Sequence, residues 1–226
     1  MRVSKKNHGV KISYSHTCYI LRQIGCLRKR PQKWPAKQDQ ERREVFRKEI
    51  QILRRTEEVV LWFCDETGFE ADCSVRQVWC LADEKPRVLY FGNHMRTSVI
   101  GAVVPYDGKF VSLMVPYVNT DIFQYFLDEL VIHRDKDKRN IVIVDNATWH
   151  KSGRLNWHGL EKMYLPAYSP DYNPIERLWL AIKNKFFSWF WTDSHDELDN
   201  HLEGALKYYH DRKELVKSIC SMRTLD

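Results

Sequence analysis

Three acidic residues hold the most informative positions in this 226-residue chain. Asp65 closes the apolar run of VVLWFCDETGF (59–69), and Asp145 closes that of NIVIVDNATWHK (140–151). Glu176 lies inside LPAYSPDYNPIERLW (165–179). Apolar runs without alternation read as strands buried on both faces. Carboxylates brought together at the ends of such strands, with no histidine or cysteine cluster beside them, make a hard-oxygen site suited to magnesium or manganese. Two such cations, about 3.5–4 Å apart, clamp the attacking and leaving oxygens of an in-line displacement. The chemistry indicated is metal-dependent phosphoryl transfer on nucleic acid.

Each acid also has a plain structural reading. An Asp-Asn pair after a strand, as at Asp145-Asn146, often caps the next helix. With Asn173 as N-cap and Pro174 at the first helical position, Glu176 falls where a capping-box carboxylate sits. Asp171, in the loop before that cap, is the other candidate for a third acid. Asp65 is hardest to explain away, because an ionised carboxylate beside LWFC is costly unless compensated. Its neighbour Glu66 should point to the opposite face of the strand. His150 and Asn146 stand just behind the second acid as candidates to support it, although a histidine there also suits a helix start at the surface.

The elements that must position these residues emerge from periodicity and punctuation. Residues 13–24 read as a short helix stopped at Gly25, and the basic, proline-punctuated CLRKRPQKWPAKQ as an extended linker. Asp39 is a plausible N-cap for a helix over 40–55, with Phe46, Ile50 and Leu53 on one face, docking the linker on the core. VVLWFC is a strand, and SVRQVWCLA (74–82) reads as its antiparallel partner. Residues 97–117 hold two strands joined across Tyr106-Asp107-Gly108-Lys109, and 120–133 form a helix with Ile122, Phe126 and Leu130 along one side. After NIVIVD come a short helix near 151–158, a strand at KMYLP, a helix from Asn173-Pro174 to about 191, and a last helix from Asp193–His195 to about 211.

Charge is unevenly placed. Residues 1–50 hold 14 Lys and Arg against 4 Asp and Glu; the whole chain holds 36 and 30, so the remainder carries a net −4. A basic arm with interleaved aromatic residues suits a phosphate backbone, where neutralising phosphates releases counterions. No apolar run is long enough to span a membrane, and Met1 is followed by basic and polar residues, unlike a secretory signal. The six cysteines contain no C-x-x-C pair and read as reduced thiols rather than a disulfide framework or zinc site. A cytoplasmic, nucleoid-associated protein is expected.

DETGF (65–69), VDNATWHK (144–151) and LPAYSPDYNPIERLW (165–179) resemble the bacterial insertion-sequence branch (the IS-six-thirty type) of the mariner superfamily of DDE transposases. The resemblance runs from about residue 10 to about 210, and the last segment is its most specific part. It implies an α/β fold with a ribonuclease H-like mixed five-stranded sheet flanked by helices and a short helical N-terminal arm. The order of elements, antiparallel strands before alternating strands and helices, agrees. Residues 1–38 resemble the end of a helix-turn-helix DNA-binding region plus a basic linker, and 39–226 the catalytic domain. Asp65, Asp145 and Glu176 match the family's catalytic, metal-binding acids, implying two divalent ions, magnesium with manganese as substitute. Thirty residues separate Asp145 from Glu176, a few fewer than usual, which shortens the intervening helix by about one turn. The implied partner is double-stranded DNA, as transposon ends and a TA target, bound by a homodimer and with no membrane. Arg28, Lys29, Arg30, Lys33, Lys151, Arg177 and Lys183 are the candidate DNA contacts. The implied activity is metal-dependent cleavage of transposon ends followed by strand transfer. Two rival expectations are a truncated, DNA-binding or regulatory relative without transposition, and a ribonuclease H-like nuclease that cuts without joining.

Overall fold

Val59–Glu70 form one 12-residue strand, β1, around which the rest of the molecule is arranged. The computed structural model describes residues 13–27, 38–72, 83, 85, 87, 92, 94–222 and 225. On one side β1 pairs antiparallel with β2 (Arg96–Val104), which pairs antiparallel with β3 (Lys109–Val115). On its other side it runs parallel to β4 (Arg139–Val144), which is parallel to β5 (Glu161–Tyr164). The resulting mixed five-stranded sheet has the order β3-β2-β1-β4-β5 and helices on both faces, the ribonuclease H-like arrangement expected. β1 was expected to pair with 74–82, which lies outside the described residues; its antiparallel partner here is β2.

Alternation along β1 divides the core in two. Val59, Leu61, Phe63 and Phe69 face one cluster, with Phe46, Ile50, Leu178, Trp179, Leu202 and Leu206 from helices. Val60, Trp62 and Cys64 face the other, with Phe123, Phe126, Leu127 and Leu130 of helix α3 (Thr120–Ile132). The Asp-Gly turn between β2 and β3 is present, with Gly108 at φ +74°.

The chain divides into two compact units, Met1–Ala36 and Lys37–Asp226. In the first, α1 (Tyr14–Gln23) is capped by Ser13, whose side chain accepts from the His16 N–H, and Gly25 follows at φ +80°. In the second, α2 (Gln40–Arg54) is capped by Asp39 as expected. Three boundaries differ from expectation. The helix expected near 151–158 is a 3-10 turn at Trp149–Lys151. Helix α4 (Ile175–Phe186) stops before the Trp-rich stretch instead of reaching 191. Helix α5 (His195–His210) is not the last, since α6 (Lys213–Ile219) comes after a break of two residues and packs against β3 and α4. Among the described residues, no helix is long and apolar enough to cross a membrane.

Candidate active site

Asp65 and Asp145 occupy equivalent positions on neighbouring parallel strands. The last β1–β4 pair is Phe63 with Ile143, and each acid lies two residues further on. Both therefore emerge at the carboxyl end of that ladder, on the same face of the sheet. Asp145 terminates β4, as expected. Asp65 does not terminate β1, because antiparallel pairing with β2 carries the strand on to Glu70, with Asp65 opposite Gly101. An acid is tolerated mid-strand because the parallel neighbour has ended and the indole N–H of Trp179 donates to its Oδ2 at 3.2 Å.

The third acid is positioned by the loop 165–174. Asn173 does not cap α4: its Nδ2 donates to the Cys64 carbonyl at 3.0 Å, fastening the loop to β1 beside Asp65. Pro174 takes the cap position without a side-chain hydrogen bond, and Glu176 is the second helical residue. The capping-box explanation for Glu176 is thereby removed, and its carboxylate has no hydrogen-bond partner among the described residues. Asp171 is taken up elsewhere: the Arg43 guanidinium donates to both its oxygens, at 3.0 and 2.7 Å, while lying over the Tyr172 ring. Helix α2 thus holds the acid loop. Asp65, Asp145 and Glu176 line a single cavity of about 500 Å³, with Asn146, Tyr168 and Asn173 among its other walls.

The acids of this cavity are shifted in opposite directions. Burial, then the neighbouring charges of Glu176 and Glu66, push the Asp65 carboxyl up to about 8. Burial also raises Glu176, against the opposing effect of Lys183. Asp145 is held below the usual carboxylate range, first by its hydrogen bond with His150. Its Oδ1 accepts from the Ala147 N–H at 2.9 Å and lies 2.8 Å from His150 Nδ1. His150 is fully buried, and its Nε2 lies 2.9 Å from Glu66 Oε1. Burial opposes its charge, but the bonds to Asp145 and Glu66 prevail and hold its pKa at about 9. Among the described residues, no three His, Cys, Asp or Glu groups converge closely enough to hold an ion as they stand. Asp145 hydrogen-bonds with His150 and Ala147, and Asp65 with Trp179.

The remaining expected residues are scattered in role. Asn146 uses its amide to donate to the Leu165 carbonyl at 2.6 Å, tying the end of β4 to β5. Lys151 is exposed, with Nζ 5.5 Å from the Tyr164 ring centre. Arg177 turns inward and donates to the carbonyls of Ile219, the last residue of α6, and Ser221 beyond it. Lys183 is partly buried and donates to Thr67 at 2.7 Å. Arg28, Lys29, Arg30 and Lys33 lie outside the described residues. Two contributors escaped the sequence reading. Trp179 could have been found, because it sits three residues after Glu176 and so shares its helix face. Glu66 does point away from Asp65, as expected, but there it meets His150, which no local spacing reveals.

Residues 60–199 match the family model described as DDE superfamily endonuclease. The chain belongs to this DDE endonuclease family. Among curated relatives, the uncharacterized protein y4pE/y4sA of Sinorhizobium fredii is 30% identical over 126 residues, 55% of this chain and 93% of that protein. The "Insertion element IS630 uncharacterized 39 kDa protein" of Shigella sonnei is 27% identical over 127 residues, 54% of this chain and 37% of that protein. The DDE fold is shared with solved structures. The Mos1 mariner paired end complex with Mn aligns with a TM-score of 0.66 at 16% identity, over 92% of this chain and 69% of that one. The catalytic domain of Mos1 mariner transposase aligns with a TM-score of 0.55 at 15% identity, over 85% and 94%. The family agrees with the DDE resemblance read from the motifs, and the fold is the ribonuclease H-like one that resemblance implies.

Proposed function

We propose that this domain cuts and joins DNA by metal-dependent phosphoryl transfer, with Asp65, Asp145 and Glu176 as the metal-holding, catalytic acids. The observation that carries the proposal is that all three line one cavity, delivered by two adjacent strand positions and the first turn of α4. The cavity fits hard divalent cations. Its donors are carboxylate oxygens, and the upward push on Asp65 is of the kind that a nearby cation reverses. The buried Oδ1 of Asn173, on the cavity wall, has no hydrogen-bond partner among the described residues and is a further oxygen of the right chemistry. Two magnesium ions, with manganese as substitute, would be held by Asp65, Asp145 and Glu176. When bound, such ions supply Lewis-acid stabilisation of charge developing on phosphoryl oxygens.

The chain's own residues orient and shield. Trp179 fixes Asp65, while His150 and the Ala147 N–H fix Asp145. Tyr168, half-exposed and at φ +57°, borders the cavity where a DNA strand would enter. Lys151 offers a cation for a phosphate beside Asp145, and Arg28, Lys29, Arg30 and Lys33 supply the basic arm. Because Arg177 and Lys183 bond inward, they contribute to the field at the DNA more than to direct contact.

The proposed substrates are double-stranded transposon ends and a TA target, handled by a homodimer, with residues 1–38 as a DNA-binding segment and basic linker and 39–226 as the catalytic domain. The insertion-element relative and the paired-end Mos1 complexes support a DNA substrate. The site of action would be the cytoplasm, at the nucleoid. Nicking and strand transfer on supercoiled plasmid with magnesium or manganese test the proposal, comparing the wild type with Asp145→Ala. Metal-dependent nicking and joining, absent from Asp145→Ala, is expected. Equal inertness of both proteins, with DNA binding intact, would sink it; cutting without joining would assign a nuclease instead.

A further inference from the structure

We infer that Glu66 is a positioning residue of the site, acting through His150 to set which oxygen of Asp145 faces the cavity. The inference rests on the proposal that Asp145 is a metal-holding acid. Glu66 neighbours Asp65 in the chain but lies on the opposite face of β1, over the cluster that contains Phe123 and Leu127. There its Oε1 lies 2.9 Å from His150 Nε2 and accepts from Trp149 Nε1 at 3.4 Å. The other ring nitrogen of His150 lies 2.8 Å from Asp145 Oδ1. One imidazole therefore spans the sheet edge from an acid on one face to an acid on the other.

This bridge is held on every side. His150 has 0% exposure and packs 4.4 Å from the Phe123 ring centre, while the Tyr164 hydroxyl donates to its carbonyl. The ring cannot swing away from Asp145 without stripping Glu66 of its partner in a buried setting. Both donors to Asp145, the imidazole and the Ala147 N–H, converge on Oδ1, so Oδ2 is the oxygen free of them and available to a ligand. A carboxylate with one oxygen pinned has lost the rotation that would otherwise be frozen on binding. Hydrogen-bonding partners behind metal ligands act in this way, and their removal typically costs about 10–100-fold in affinity or activity. A purely structural ion triple would stabilise the fold without concern for which acceptor atom His150 meets, and that difference is measurable.

Manganese binding to the metal-free full chain, read from the electron paramagnetic resonance signal of free Mn²⁺ and run beside thermal melting, tests the inference. Glu66→Ala should bind Mn²⁺ about 10–100-fold more weakly than wild type. Glu66→Gln, whose amide oxygen still accepts from His150, should stay within several-fold. Asp145→Ala anchors the comparison. If Asp145→Ala binds like wild type, the assignment of Asp145 as a ligand fails. If it loses Mn²⁺ while folded Glu66→Ala retains wild-type affinity, only the role of Glu66 fails. Should Glu66→Ala not fold, nitrogen NMR of the His150 ring on adding Mg²⁺ reads the same link in the intact protein. A shift in wild type that is absent in Asp145→Ala supports the bridge, and an unmoved His150 signal in wild type overturns it.

Discussion

Trp179 Nε1 and Asp65 Oδ2 are 3.2 Å apart, joining the helix that carries Glu176 to the strand that carries Asp65. This bond is a donor aimed at the most crowded carboxylate of the cavity. Trp179→Phe keeps most of the buried ring, which meets Phe69 and Phe110 edge-on, and removes only the N–H. Hydrogen bonds to charged groups contribute about 1.5–3 kcal/mol, so the nicking rate should fall roughly tenfold or more, with the melting temperature little changed. An unchanged rate would show that Asp65 is positioned without Trp179.

The same contact makes Gly101 a sensitive position. Gly101 lies opposite Asp65 on β2, and a Cβ there would meet Trp179 Cη2 at 2.6 Å and Cζ2 at 2.9 Å. Both atoms belong to a rigid ring that is 2% exposed. Gly101→Ala must therefore push the indole away from its acceptor. Overpacking of this kind costs about 1–3 kcal/mol. The variant should melt at lower temperature and also lose activity, whereas Ala at the open position Gly204 should do neither. Equal behaviour of the two variants would refute the packing argument.

Asp65 and His150 set opposite charges but the same sign of pH dependence. Asp65 in the folded protein titrates near 8 against an ordinary 3.8, so the folded state binds the proton more tightly. Its contribution to stability is full below about pH 4 and is lost as pH rises toward 8. His150 is raised from 6.5 to about 9, so its contribution is full below about pH 6.5 and is lost as pH rises through 9. Asp65→Asn should thus gain stability over wild type from pH 4 to 8, reaching about 5 °C or more in melting temperature without metal. Adding Mg²⁺ at pH 8 should raise wild type and not Asp65→Asn. A constant difference between the two proteins across this range would contradict the raised carboxyl.

What could be read in the sequence was whatever rests on local period and punctuation. The double-faced runs of β1 and β4 gave the sheet centre, Asp39 gave the start of α2, and Asp107-Gly108 gave the hairpin. Failures came where a distant partner decides. Asn173 looked like a cap because Asn-Pro begins helices, yet Cys64, 109 residues away in the chain, takes its amide. Arg177 looked free for DNA because basic and aromatic residues alternate along this helix, yet the carbonyls at and just after the end of α6 bind it. α6 itself escaped because Lys213–Ile219 is only seven residues long, too short for a helical period to be distinctive. The three acids could be singled out together from the sequence, and in the structure they line one cavity. His150 could be read as a support for Asp145, but its bond to Glu66 and that of Trp179 to Asp65 could not, since each joins elements that only the fold brings together.

The pair Arg43–Asp171 distinguishes an acid that holds a loop from Glu176, the proposed metal-holding one. Asp171 receives both arms of the guanidinium, so its removal should loosen the loop 165–174 without deleting a ligand. Arg43 is 7% exposed at its side chain but Asp171 is 43% exposed, so the freed carboxylate can return to water. The cost of Arg43→Met is then well below that of breaking a fully buried pair, about 1–2 kcal/mol or roughly 3–6 °C in melting temperature. Asp171→Asn keeps one acceptor for Arg43 and should reduce nicking only a few-fold. Glu176→Gln removes the charge from a side chain with no hydrogen-bond partner among the described residues; it should leave melting nearly unchanged and abolish activity at least 100-fold. If Asp171→Asn were instead the inactive variant and Glu176→Gln retained full rate, the third acid would be Asp171 and the Arg43 clamp would have to open during the reaction.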